Sequence, residues 1–152
     1  MQKITTFLTF NDQAEEAAKL YISLFKNSKI TGVHRSEPDG GVIVVTFQLD
    51  GQEFTALNGG PHFSFAEGIS LFVRCETQQE VDRLWGRLSE GGEKQMCGWL
   101  KDRFGVSWQI IPTALMELMS DPDPQKSRRA TEAMLKMTKI DIKTLKEAHA
   151  RG

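Results

Sequence analysis

One order of elements occurs twice in this chain: strand, helix, strand, strand, strand. In the first half, Ile4 to Phe10 is rich in β-branched and aromatic residues and reads as a strand. Asn11-Asp12 breaks it, and Asp12 with Glu15 has the spacing of a helix start. Ala14, Ala17, Ala18, Tyr21, Ile22, Leu24 and Phe25 then recur at helical spacing, predicting an amphipathic helix to about Lys26. Ile30 to Glu37 reads as a strand, Pro38-Asp39-Gly40-Gly41 as a turn and Val42 to Leu49 as a strong strand. Asp50-Gly51 is a hairpin turn of the kind that needs positive φ, and Gln52 to Asn58 runs back.

The second half repeats the order. Ile69 to Cys75 is a strand, and Thr77 with Glu80 is again a helix start. Val81, Leu84, Trp85 and Leu88 mark a buried helical stripe that Gly91-Gly92 ends. A short segment, Lys94 to Cys97, leads into a hairpin from Gly98 to Pro112 that turns on Phe104-Gly105. Superimposing the two helices places Ala17 with Val81, Leu20 with Leu84, Tyr21 with Trp85 and Leu24 with Leu88. A module of this kind is a curved sheet with one helix outside. Its inner face is buried only against another sheet, in the same chain or in a second copy. The expected fold is therefore α+β: βαβββ modules at 1–58 and 69–112, joined by 59–68, forming a sheet cup, with a helical C-terminal extension over 113–152.

In that extension Ala114, Leu115, Leu118 and Met119 suggest a short helix, broken by Asp121-Pro122-Asp123-Pro124. Gln125 to Thr138 reads as a second helix with Ala130, Ala133, Met134 and Met137 on one stripe. Asp141 can cap a last helix that buries Leu145 and Ala148. The methionines at 116, 119, 134 and 137 suit either an adaptable contact surface or packing on the chain's own body. Together with the architecture they predict a homodimer.

Composition excludes several classes. Nineteen Lys and Arg against twenty Asp and Glu leave no basic face for nucleic acid. No apolar run approaches the ~20 residues of a membrane span, and the N-terminus lacks a signal-peptide core. The two cysteines, Cys75 and Cys97, form no CxxC pair, which fits free thiols and a cytoplasmic location.

Candidate chemistry centres on the hairpin and on the connection Gly59-Gly60-Pro61-His62-Phe63-Ser64-Phe65. Along the outgoing strand Val106, Trp108 and Ile110 share one face and Ser107, Gln109 and Ile111 the other. Trp99 and Trp108 either stabilise the sheet or border a cavity. Cys97 is a candidate nucleophile if a nearby cation lowers its pKa, and His62 a candidate base; the plain alternatives are a small buried residue and a solvent-facing loop residue. Asp102 reads as a turn residue, Cys75 as core, and Arg74, Asp82 and Arg83 as solvated faces.

Several stretches carry a likeness: Thr5-Thr6-Phe7-Leu8-Thr9-Phe10 with Ala14-Glu15-Glu16-Ala17 and Tyr21, Leu57-Asn58-Gly59-Gly60-Pro61, Ile69-Ser70-Leu71-Phe72-Val73, Val81-Asp82-Arg83-Leu84-Trp85, Cys97-Gly98-Trp99-Leu100-Lys101-Asp102, Phe104-Gly105-Val106-Ser107-Trp108-Gln109 and Met134-Leu135-Lys136-Met137. With them the chain resembles the vicinal oxygen chelate superfamily of glyoxalases, bleomycin-resistance proteins and dioxygenases. More closely it resembles the PhnB-like branch, whose members are often labelled 3-demethylubiquinone-9 3-methyltransferase. The resemblance implies a divalent metal held by side chains of the first and last strands of each module. Those positions fall near Thr5 or Thr6, Asn58, Ser70 and Gln109, none of which is His, Asp or Glu. Hydroxyls and amides are weak ligands, and His34, His62 and His149 lack metal-site spacing, so no metal or other cofactor is expected. Nor does a helix pattern follow Gly59-Gly60, as a glycine-rich nucleotide loop requires. The expectation is a small-molecule binding protein whose pocket is lined by Thr6, Phe7, Asn58, Phe63, Ser70, Trp99, Trp108 and Gln109, for a hydrophobic or aromatic ligand. The alternatives are an enzyme, by methyl transfer or metal-dependent lyase or dioxygenase chemistry, and a protein-interaction module using the C-terminal helices.

Overall fold

A computed structural model describes residues 2–37 and 40–151. Met1, Gly152, and Pro38-Asp39 of the expected turn lie outside the described residues. The chain divides into a first unit through Phe65 and a second from Ala66.

In the first unit the elements are β1 (Thr6–Phe10), α1 (Ala14–Ile22), β2 (Lys29–Arg35), β3 (Val42–Leu49) and β4 (Gln52–Asn58). They form one sheet in the order β1-β4-β3-β2, with β1 parallel to β4. The second unit contains β5 (Leu71–Cys75), α2 (Gln78–Ser89), β6 (Glu93–Lys94), β7 (Trp99–Lys101) and β8 (Ser107–Pro112). Its sheet order, β5-β8-β7-β6 with β5 parallel to β8, repeats the first.

Each sheet buries one face under its helix. Ala14, Ala17, Ala18 and Tyr21 of α1 are buried, as are Leu8, Phe10, Val45, Phe47, Phe54 and Ala56 of the sheet. Phe47 stacks on Phe54 with ring centroids 5.4 Å apart. In the second unit Val81, Leu84, Trp85 and Leu88 of α2 are buried with Cys75, Leu100, Trp108 and Ile110. Each such aliphatic side chain contributes about 1.5–3 kcal/mol on burial. Tight backbone contact joins α2 to the hairpin at Gly92, where a Cβ would lie 2.1 Å from the Lys101 carbonyl oxygen.

The helix starts differ from one another. Thr77 caps α2, its hydroxyl accepting from the Glu80 amide at 3.1 Å, as its spacing predicts. Asp12 does not cap α1. The N-cap is Gln13 without a side-chain bond, and the Ala14 amide donates instead to Asn58 Oδ1 at 2.8 Å. A residue distant in sequence thus does the work that local spacing assigned to Asp12.

Three helices complete the second unit: α3 (Thr113–Met119), α4 (Pro124–Met134) and α5 (Ile142–Ala150). Asp123 and Asp141 cap α4 and α5. The second of these helices stops at Met134, short of the expected Thr138, because the chain turns there to meet the sheet. Met137 and Thr138 carbonyls accept from the Cys97 and Gly98 amides, each at 2.8 Å. Ile140, Leu145 and Leu115 enclose Ile111, and Met119, Met134 and Met137 pack on that cluster. These methionines serve the extension's own core. Gln78 of α2 clamps the crossing segment, its Nε2 donating to Ile140 O at 3.0 Å and its Oε1 accepting from the Ile142 amide at 2.8 Å. Among the described residues no helix is long and apolar enough to cross a membrane.

Candidate ligand-binding faces

The Gly98–Pro112 hairpin turns around a buried carboxylate. Asp102, 3% exposed, accepts through Oδ1 from the amides of Phe104 and Val106 at 2.9 and 3.0 Å, and through Oδ2 from Trp108 Nε1 at 2.9 Å. Trp108 is 2% exposed, so its indole is committed to this turn and to the helix-packed face. The expectation that Trp108 lines a pocket is therefore corrected: strand alternation places it with Leu100 and Ile110, against α2.

The opposite face of the second sheet is covered by the extension at Ile111 and is otherwise partly open. Phe72, Gln109 and Trp99 stand in register across β5, β8 and β7, forming a row of aromatic, amide and aromatic side chains. Phe72 is 49% exposed; Gln109 and Trp99 are half-buried. The Gln109 amide donates to Ser70 Oγ at 2.9 Å, which fixes its orientation. Ser70, Trp99 and Gln109 thus lie on one face. Phe72 was missed, because Ile69 to Val73 is too uniformly apolar for alternation to show which side chains stay uncovered. At the far corner Lys101 pairs with Glu67 at 3.0 Å.

In the first unit the register of β1 with β4 matches that of β5 with β8. Phe7 pairs with Thr55 as Phe72 pairs with Gln109, and Phe10 pairs with Asn58 as Cys75 pairs with Pro112. The counterpart of Gln109 is accordingly Thr55, not Asn58. Phe7 lies on the open face and is 56% exposed. Thr6 falls on the helix-packed alternation with Leu8 and Phe10, and Asn58 serves as an internal bridge, its Nδ2 donating to Val42 O at 3.0 Å while Oδ1 caps α1. Thr6 and Asn58 are therefore corrected from pocket-lining to helix-side residues. Phe63, 58% exposed, lies beside Gly59 in the connection after β4, and Phe65 meets Phe10 edge-on at 5.2 Å.

His62 is exposed in the connection. Cys97 has a left-handed backbone, φ 62°, followed by Gly98 at φ 82°, and the extension's carbonyls hold both amides. Burial, reinforced by Glu80 and Glu76, pushes the Cys75 thiol up to about 12, so it stays protonated as a core residue.

The divalent metal that the resemblance implies finds no matching donors. Around the row of Phe72, Gln109 and Trp99 the polar groups are the Ser70 hydroxyl, the Gln109 amide bonded to it and the cations of Arg74 and Lys101. Among the described residues no three His, Cys, Asp or Glu side chains gather to hold an ion. This donor set does not fit a catalytic divalent metal. Gly59 and Gly60 do not form a nucleotide cradle either: their amides donate to Phe10 O and Asn11 O, and a turn follows rather than a helix.

Comparison with known proteins agrees with this geometry. The 3-demethylubiquinone-9 3-methyltransferase family model matches residues 2–111, leaving α3 to α5 outside it. A Bacillus cereus PhnB protein, provisionally described as such a methyltransferase, is 41% identical over 73% of this chain and 99% of its own, with a TM-score of 0.69. A Pseudomonas aeruginosa protein of 21% identity, covering 74% of this chain and 98% of its own, shares the fold at a TM-score of 0.59. So does a Bacillus cereus protein described as a possible glyoxalase, at 17% identity, 71% and 96% coverage and a TM-score of 0.50. No curated protein matches the chain. The family model over residues 2–111 and the likeness to the PhnB protein establish that the chain belongs to the 3-demethylubiquinone-9 3-methyltransferase, PhnB-like family, with a fold shared with a possible glyoxalase.

Proposed function

We propose that this protein binds a small hydrophobic or aromatic molecule on the open face of the second sheet, at Ser70, Phe72, Trp99 and Gln109. The observation that carries the reading is the oriented Gln109 amide, bonded to Ser70 and set in one row between two aromatic side chains. A few fixed polar groups on an apolar surface are the usual makeup of a small-molecule site. In the first unit Phe7, Thr9, Thr55 and Leu57 lie on the corresponding face. The uncovered aromatic residues also favour association of two copies, which sedimentation would report as a species of twice 17.1 kDa.

A thermal-shift screen of aromatic and aliphatic metabolites tests the site when repeated with Gln109→Ala and Trp99→Ala. Ligands that stabilise the natural protein should lose most of their shift in both variants. Equal shifts in all three proteins would remove the site. Trp108→Ala is unsuitable for this purpose, because its indole supports the hairpin turn.

A further inference from the structure

Arg74 shares the open face of the second sheet with Phe72, two residues along the same edge strand. It is exposed, and among the described residues it has no hydrogen-bond or ion-pair partner. The other cation of this face is answered: Lys101 pairs with Glu67 and stands in register with Glu93. None of the residues of β5, β7 and β8 is acidic. One uncompensated positive charge therefore borders the row of Phe72, Gln109 and Trp99.

The dimensions of that row are set by the sheet. Side chains on the outer two of three adjacent strands stand about 9–10 Å apart. One flat ring fits between two aromatic faces at that spacing, above the Gln109 amide. Arg74 lies about 7 Å further along β5, within reach of a substituent on such a ring. Repeat symmetry isolates the feature: the counterpart of Phe72 is Phe7, but the counterpart of Arg74 is Thr9, whose methyl group packs against Gly59.

We infer that the ligand of the second sheet is a planar aromatic anion, its ring held between Phe72 and Trp99 and its carboxylate or phenolate paired with Arg74. This inference rests on the small-molecule site proposed above and adds the chemical class. A planar guanidinium suits a carboxylate through two parallel N–H bonds, and Gln109 supplies a neutral contact to the ring edge.

The test titrates the full chain with benzoate, benzamide and cyclohexanecarboxylate, following the Trp99 indole and Gln109 amide resonances. Benzoate should bind about tenfold more tightly than benzamide, the usual advantage of a charge-assisted pair, and more tightly than cyclohexanecarboxylate. Arg74→Gln should bring benzoate down to the level of benzamide, and Arg74→Lys should restore part of the difference. Benzamide binding as tightly as benzoate, or a benzoate preference that survives Arg74→Gln, would overturn the anion assignment and leave the small-molecule site standing. Absence of binding by all three probes would overturn both.

Discussion

Replacing Asp102 by alanine should weaken the whole second unit, and the size of the effect can be worked from its bonds. Its carboxylate accepts from two backbone amides and from the Trp108 indole, all at 2.9–3.0 Å. Phe104, Val106 and Trp108 are themselves buried. A buried donor stripped of its acceptor costs about 1–3 kcal/mol. Arg103 is exposed and Gly105 half-buried, so water can reach one of the amides as the turn relaxes. A net loss of about 3–5 kcal/mol follows, which for a chain of this length lowers Tm by roughly 6–20 °C. Denaturant unfolding, read by near-ultraviolet dichroism of the tryptophans, measures it. Trp108→Phe supplies the control: combined with Asp102→Ala it should show a coupling of about 1.5–3 kcal/mol, since one bond is removed twice. A loss below about 1 kcal/mol for Asp102→Ala, or strict additivity with Trp108→Phe, would refute the account of the turn.

Three further outcomes are expected. Asn58→Ala removes both the α1 cap and the bond to Val42, and should cost about 1–2 kcal/mol in thermal unfolding, whereas Asp12→Ala should cost a few tenths. Gly92→Ala drives a Cβ into the Lys101 carbonyl and the Asp102 backbone, atoms that cannot swing aside, so a loss of about 3 kcal/mol or more is expected in the same assay. The Asp121 carboxyl is held below its ordinary value of 3.8, first by the Asp123 amide and then by His149 at 2.7 Å. Its stabilisation is therefore present above that ordinary value and lost as pH falls through the lower folded one. Asp121→Asn should melt below the natural protein at pH 7, and the gap should close as pH falls below the ordinary carboxylate value.

The repeat, the order of elements along the chain and several helix ends were legible because they rest on local pattern: alternation, capping residues and glycine turns. Legibility failed where a side chain's role depends on which of two faces it takes. Gln52 to Asn58 alternates too weakly to say whether Thr55 or Asn58 faces the helix, and a shift of one residue exchanges every side chain between faces. Trp108 illustrates the same limit from the other direction. Its face was read correctly as shared with Ile110, but nothing local shows that this face lies under α2, or that Asp102 turns back to take its indole. The early end of α4 is a tertiary effect as well. Residues 135–138 have ordinary helical propensity, and they leave the helix because Cys97 and Gly98 need acceptors.

Comparing the two units residue by residue shows where they differ and why. On the helix-packed faces the register pairs Leu8 with Val73, Phe10 with Cys75, Phe54 with Trp108 and Ala56 with Ile110 as counterparts; all but Val73 are buried, and every one is apolar. At the edges of these faces polarity does change, Thr6 having Leu71 and Asn58 having Pro112 as counterpart, and there the Asn58 amide is bonded to the Ala14 amide and to Val42 O. On the opposite faces two of the counterparts change in kind and one exchanges aliphatic for aliphatic. Thr55 becomes Gln109, Thr9 becomes Arg74, and Leu57 becomes Ile111, which the extension covers. Only the aromatic pair Phe7 and Phe72 is kept. Both units thus offer an aromatic surface, and the second adds an oriented amide and the Arg74 charge beside it. Substitution should therefore separate them: Phe72→Ala should weaken an aromatic anion on the second sheet by about tenfold, and Phe7→Ala should leave its preference for anions over neutral analogues intact. An equal loss of that preference in both variants would mean that the first unit shares in choosing the ligand's charge.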